Sequence, residues 1–343
     1  MYITGAIGSS GLLERFTVDY DLPNDRMYCE SCASIGLMMF GRRMSAITRD
    51  ASYYDAVELA LCNTVLSGIS SSGDSYFYVN PLEVWPENCK SSTSLSHVKP
   101  VRQKWFSVAC CPTNIARTLA SLGQYIYALD DDALYINQFI SSEINTALGG
   151  GELNVYLNVD RQHGFDTALS VKYAGNAPAA VYIRIPPYAR NPAFKKNGRE
   201  FTPQMSKGYA KLPLMPKENA ELTISAHAVP EFAAANINVR ADAGKLALKY
   251  GPFVYCLEQQ DNGENLSAIS VSSDSSVKAG LPLASDLPTL ELDGKRLVSS
   301  TADDGLYGEP SFKYKPVRLK AIPYFQWCSR TPGEMLVWMR SIQ

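Results

Sequence analysis

Trp105-Phe-Ser-Val-Ala-Cys-Cys-Pro-Thr-Asn114 carries two adjacent cysteines followed by a proline, and few ordinary structural roles require that arrangement. Neighbouring residues in a helix or strand point in different directions, so two sulfurs converge only where the backbone is irregular. Pro112 supplies the irregularity: it disfavours the α region for Cys111 and suits the first position of a following helix. Ile115, Leu119, Leu122 and Ile126 then step at helical spacing, predicting a helix to about Ala128. Two thiols are thereby expected at a helix N-terminus, where the positive end of the dipole favours thiolate. Such a pair suits a metal ligand, a nucleophile, or both.

Upstream, the run from Asn24 or Asp25 can cap a helix from about Met27 to Met44, and Tyr54, Val57, Leu61 and Val65 predict a second over 52–66. The stretch 70–99, rich in serine and broken by Gly73, Pro81 and Pro86, reads as a long loop with a short hairpin around Tyr76–Val79. After Asp130 the apolar period changes from 3.6 to 2. Strands are predicted over 133–140, 152–159, 168–173, 180–186 and 221–226, several with one apolar face, as in an antiparallel sandwich. A second β unit begins near Asn238, with strands over 245–250, 253–257, 316–322 and 334–339. Between them, 261–300 is rich in Ser, Asp and Gly and reads as a surface excursion. The fold class is multidomain α+β.

With 343 residues the chain can hold two or three cores. A net charge of -2 without a basic block argues against nucleic acid or anionic membrane as partners, and no apolar run approaches a membrane span. Eight cysteines are too few for a disulfide scaffold in a chain this long, and reduced thiols fit a cytoplasmic location.

The first predicted helix contains Tyr28-Cys29-Glu30-Ser31-Cys32, a C-x-x-C pair that would share a helical face. With Cys110 and Cys111 it offers a closed four-cysteine zinc site stapling two helices, and buried free cysteines are the plainer alternative. Glu30 and Cys32 lie on nearly opposite sides of an ideal helix, so helical geometry prefers Cys29 without excluding Glu30. Glu14, in a loop flanked by glycine and serine, is either a functional carboxylate or a solvated partner of Arg15. His97, His163 and His227 show no ligand spacing.

Several blocks resemble one family. ERFTVDYDLPND, YCESCASIGLMMF and ACCPTNIARTLASLGQYIYA are similar to signature blocks of the β-L-arabinofuranosidases of glycoside hydrolase family 127. LALKYGPFVYCLEQQDN and WCSRTPGEMLVWMR resemble its β-domain blocks, in the same order. The resemblance implies an (α/α)6 helical toroid followed by two antiparallel β-sandwiches. Residues 1–130 would be the C-terminal half of the toroid, with sandwiches at 131–236 and 237–343.

The resemblance also implies retaining hydrolysis of β-L-arabinofuranosides with a cysteine nucleophile held on Zn2+. Cys110 would be the nucleophile, Glu30, Cys32, Cys110 and Cys111 the zinc ligands, and Glu14 the general acid/base. Cys29 would then be a bystander, contrary to the helical-face argument. A non-catalytic carbohydrate-binding protein with a structural four-cysteine zinc site is the rival expectation. Because the matching blocks begin partway into the family's catalytic domain, the first half of the toroid is expected to be absent. That would leave apolar helix faces for an upstream half-domain chain or self-association.

Overall fold

The computed structural model describes residues 1–303 and 305–342. Helices lie in the first part of the chain and strands dominate the rest, giving a mixed α+β fold. The longer helices are α1, Ser31–Thr48; α2, Ser52–Leu59, continued by π-helical turns over Ala60–Val65; and α3, Cys110–Ala120. No helix among the described residues is long and apolar enough to cross a membrane.

Three expectations about the helical part are corrected. The first helix begins at Ser31, not Met27. Cys29 is left-handed (φ 44°), Glu30 bridges to Val79, and both the backbone and side-chain amides of Asn80 donate to the Cys29 carbonyl. The third helix begins two residues ahead of Pro112. Proline is tolerated there because a first-turn N–H has no intrahelical partner to lose. That helix also stops early, since a short turn at Gly123–Ile126 runs straight into a strand at Tyr127–Leu129. Finally, Tyr76–Val79 forms no hairpin: Tyr76 bridges Ile69 and Gln103, while Val79 bridges Glu30.

The residues divide into two compact units. One comprises Met1–Ile35, Leu59–Ile115 and Pro230–Gln343; the other comprises Gly36–Glu58 and Ala116–Val229.

In the first unit, six strands close on themselves. Around the ring they are Phe253–Glu258, Pro310–Pro323, Leu290–Thr301, Ile269–Val271, Met339–Ser341 and Lys245–Tyr250, with the last pairing back to the first. The expected second sandwich is thus a barrel, a closure that leaves these strands no open edge. The expected surface excursion over 261–300 is likewise corrected, because it supplies the twelve-residue strand Leu290–Thr301 and the short strand Ile269–Val271. Every residue of Phe253–Glu258 is buried, so that strand is covered on both faces. On one side Asn63 meets it, donating to the Pro252 carbonyl and accepting from the Val254 amide.

The same unit braces the segment that follows α2. Phe77 stacks on Trp327 with ring centres 4.5 Å apart and planes 4° apart. Tyr324 donates to the Pro81 carbonyl, Val337 donates to the Leu82 carbonyl, and Glu83–Val84 pairs with Met335–Leu336. Arg102 lies over the Phe77 ring and donates to the Trp327 carbonyl. Phe77, Trp327, Tyr324, Leu82 and Val337 belong to one buried apolar cluster that also takes in Met27, Tyr28 and Cys29.

The second unit holds a five-stranded sheet, ordered Gln204–Ser206, Tyr209–Leu214, Ala179–Arg184, Ala133–Ile136, Tyr127–Leu129, and a six-stranded sheet running from Ser142–Leu148 to Arg199–Glu200. Burial alternates residue by residue along Gly151–Asp160 and Asn219–Ser225, so one face of each is in a core. Arg184 is fully buried and reaches Asp55 and Glu58 at 2.6 and 2.5 Å.

Candidate active site

Two helix starts meet. Cys32 is the second residue of α1, and Cys110 and Cys111 are the first two of α3, so all three thiols lie where the helix dipoles favour negative charge. Gly68 makes the approach possible: a Cβ there would lie 2.8 Å from Ser31 Oγ and 2.9 Å from the Ile115 side chain. The start of α1 is fixed by its neighbour segment, since Ser31 N–H donates to the Tyr78 carbonyl and Ser31 Oγ to that of Phe77.

Because α1 starts late, Glu30 is outside it and the objection from ideal helix geometry disappears. Glu30, Cys32, Cys110 and Cys111 form a group whose ligand atoms all lie within 4.8 Å of one another. Cys32 and Cys111 sulfurs are 3.7 Å apart, and Cys110 and Cys111 sulfurs 3.8 Å. Glu30 Oε1 is 3.5 Å from Cys110 and 3.6 Å from Cys111. A tetrahedral ion with sulfur bonds of about 2.3 Å and an oxygen bond of about 2.0–2.1 Å sets these edges at about 3.8 and 3.6 Å. These four separations match those edges, so the donor set suits a metal ion. Cys29 is not among them: it is fully buried, with its sulfur 3.6 Å from the Gly8 carbonyl. The four-cysteine arrangement expected from helical spacing is corrected accordingly.

The sulfurs are not equivalent. Cys110 is exposed, Cys32 half-buried and Cys111 buried. The Cys32 thiol is lowered to about 7, first by its hydrogen bond with Cys111 and further because Asn114 Nδ2 donates from 3.0 Å. Cys111 is correspondingly raised, by that same bond and then by burial. Burial also raises Cys110, opposed by the Tyr78 hydroxyl 3.8 Å away.

Glu14 is exposed and stands apart from the four-residue group. Its Oε1 accepts from the Tyr28 hydroxyl at 2.7 Å; the Tyr28 ring meets Tyr78 edge-on at 5.7 Å, and Tyr78 reaches Cys110. Leu13, Glu14, Cys29 and Ser107 all have φ between 44° and 65°. Left-handed non-glycine residues cost of order 1–3 kcal/mol each and gather where surrounding structure over-determines the backbone. His97 is half-buried near the Met27 carbonyl and beside Gly11, and His163 pairs with Asp160 at the surface. Asn114, Tyr28 and Tyr78 were not singled out from sequence. Asn114 had a usable signal, lying one helical turn beyond Cys110.

Comparison with known proteins follows the same divisions. Residues 1–124 match the family model described as Beta-L-arabinofuranosidase, GH127 catalytic domain; 133–226 match the GH127 middle domain and 230–340 the Glycoside hydrolase family 127 C-terminal domain. The non-reducing end beta-L-arabinofuranosidase of Bifidobacterium longum subsp. longum is 35% identical over 99% of this chain and 53% of its own length. The crystal structure of a GH127 beta-L-arabinofuranosidase from Geobacillus stearothermophilus T6 superposes with a TM-score of 0.93 at 39% identity, covering 100% of this chain and 54% of that one. A second solved structure, of a GH127 beta-arabinofuranosidase, gives 0.87 at 29% identity with the same coverage. The chain thus spans about half the length of the relatives it matches. Three family models in their expected order, together with the likeness in sequence and fold, place it: the chain belongs to glycoside hydrolase family 127.

Proposed function

We propose that this chain carries the reacting groups of a retaining glycosidase that releases L-arabinose from β-L-arabinofuranosides. The observation that carries this reading is the exposed sulfur of Cys110 within a metal-competent set of three thiols and one carboxylate. Glu30, Cys32, Cys110 and Cys111 would hold Zn2+, which when bound would keep the thiols ionised at neutral pH. Cys110 Sγ attacks the anomeric carbon, forming a C–S bond as the glycosidic C–O bond breaks. Glu14 gives its proton to the departing oxygen, then takes one from the water that displaces sulfur and restores the thiolate. Tyr28 orients Glu14, and Tyr78 supplies a hydroxyl beside the attacking sulfur.

The helical segment is read as half of an (α/α)6 toroid within 1–130, and the two sheets that lie mainly within 131–236 as a sandwich, with 237–343 as the closing β domain. Phe40, Ile47 and Leu119 are exposed on helices, which supports an upstream half-domain or a second copy as partner. Eight free thiols support a reducing, cytoplasmic setting.

The test is release of arabinose from an aryl β-L-arabinofuranoside, by the chain alone and joined to the region by which its relatives are longer. Mass spectrometry of quenched enzyme should find an arabinosyl adduct on the peptide bearing Cys110. Turnover that survives Cys110→Ser removes the nucleophile assignment.

A further inference from the structure

The metal-competent group takes in Glu30 and leaves out Cys29, although Cys29 and Cys32 have the spacing of a pair on one helical face. What decides between them is the path of the backbone from Tyr28 to Ser31. One buried side chain governs that path.

Had α1 included Cys29, the Cys29 carbonyl would accept from the N–H of Ala33, four residues on. It is occupied otherwise. The backbone N–H of Asn80 donates to it at 3.2 Å and Asn80 Nδ2 at 3.0 Å, which engages both lone pairs of one carbonyl oxygen. The four-residue bond pattern opens instead with Ser34 N–H donating to the Glu30 carbonyl. The second Nδ2 proton of Asn80 goes to Ser31 Oγ at 3.0 Å, and that hydroxyl donates to the Phe77 carbonyl.

Cys29 is thereby held left-handed at φ 44°, a conformation that persists in a residue with a Cβ only when neighbouring contacts impose it. The Gly8 carbonyl is a second hold, accepting from the N–H groups of Tyr28 and Cys29 at 3.1 and 2.9 Å. Glu30 follows, bridged to Val79, with Oε1 at 3.5 and 3.6 Å from the Cys110 and Cys111 sulfurs. Asn80 is itself anchored from the barrel side, since the Tyr324 hydroxyl donates to the next carbonyl, that of Pro81.

Asn80 is fully buried, and its Oδ1 has no hydrogen-bond partner among the described residues. An unpaired buried amide oxygen is unfavourable, and an apolar side chain of similar shape would fill the space without it. The residue is placed for its two amide protons. We propose that Asn80 is the positioning residue of the metal-competent group: by diverting the Cys29 carbonyl from α1, it keeps Cys29 out and brings the Glu30 carboxylate among the three thiols. This rests on the metal reading of that group given above.

Titration of the metal-free full chain with Co2+, followed by visible absorption in competition with a chelator, tests it. Wild type should bind one Co2+ per chain. Asn80→Leu, close in shape but without amide protons, should weaken binding about tenfold, within the range for groups that orient a metal ligand. Glu30→Gln should weaken it at least as much. The double variant should bind no more weakly than Glu30→Gln alone, because Asn80 acts through Glu30. A general loosening of the fold would instead add its loss to that of Glu30→Gln. Should Asn80→Leu fail to fold, Asn80→Ser, polar but too short to reach both acceptors, takes its place in the same cycle. Affinity unchanged by the Asn80 substitution, or losses that add in the double variant, overturns the proposal. A wild-type chain that binds no Co2+ overturns the metal reading and this inference with it.

Discussion

Asn114 Nδ2 donates to Cys32 Sγ from 3.0 Å, joining the first turn of α3 to the first turn of α1. The bond is one of the causes that lower the Cys32 thiol, and it holds that sulfur beside the start of α3. Groups that orient a metal ligand in this way typically contribute about 10- to 100-fold in affinity. Asn114→Ala should therefore weaken binding of the proposed Zn2+ by about that factor in a chelator competition, with the four proposed ligands still present.

The choice between Glu30 and Cys29 can be made with two substitutions. Glu30→Gln removes an anionic ligand from the four-residue group and should lower bound zinc per chain by at least about tenfold at equal free metal. Cys29→Ala alters buried contacts outside the four-residue group, with Tyr2 and the Gly8 carbonyl, so the content of the proposed zinc should stay at the wild-type value. Elemental analysis of the purified variants reads both.

Arg184 is a stability site rather than a chemical one. Its guanidinium is fully buried between Asp55 and Glu58, and Glu58 is itself 4% exposed. Burial raises Glu58, and Arg184 is what opposes that rise. Arg184→Leu would leave two carboxylates without their counter-ion and should cost about 3–5 kcal/mol in urea unfolding. That is a large share of the ~5–15 kcal/mol by which a typical domain is stable.

Asp242 gives a pH dependence of definite sign. Burial pushes its carboxyl up to about 6, although the Asn24 amide donating from 2.6 Å pulls the other way. A raised carboxyl binds its proton more tightly in the folded state, so the ionised form costs stability above about pH 6. The cost fades as pH falls from about 6 towards 4. Asp242→Asn should accordingly stabilise the protein by about 2 kcal/mol near pH 8 and by almost nothing near pH 4, measured by thermal melts across that range.

Which parts of this were legible in the sequence follows from where the determining contacts lie. The helix at Cys110 and most strands between 151 and 258 announce themselves through local apolar spacing. The late start of α1 does not, because it depends on Val79 and Asn80, some fifty residues downstream, catching Glu30 and Cys29. Tyr78 could not be read as a neighbour of Cys110 for the same reason. The strand Leu290–Thr301 is largely half-exposed or exposed along its length, so it lacks the one-sided apolar pattern that betrays a strand, and the barrel it helps close was hidden with it. Adjacent cysteines, by contrast, are chemically unusual enough to mark a site before any contact is known.

The bracing of residues 76–84 by the barrel unit bears on how this protein can be taken apart. Trp327 against Phe77, Tyr324 on Pro81 and Met335–Leu336 beside Glu83–Val84 tie the stretch carrying Tyr78 to residues more than two hundred positions later. A gene fragment ending after α3 would encode all three thiols, yet not the scaffold that fixes their spacing. The C-terminal barrel is thus no detachable cassette: recombination that exchanged it for a foreign module would have to reproduce that seam or forfeit the metal-competent geometry.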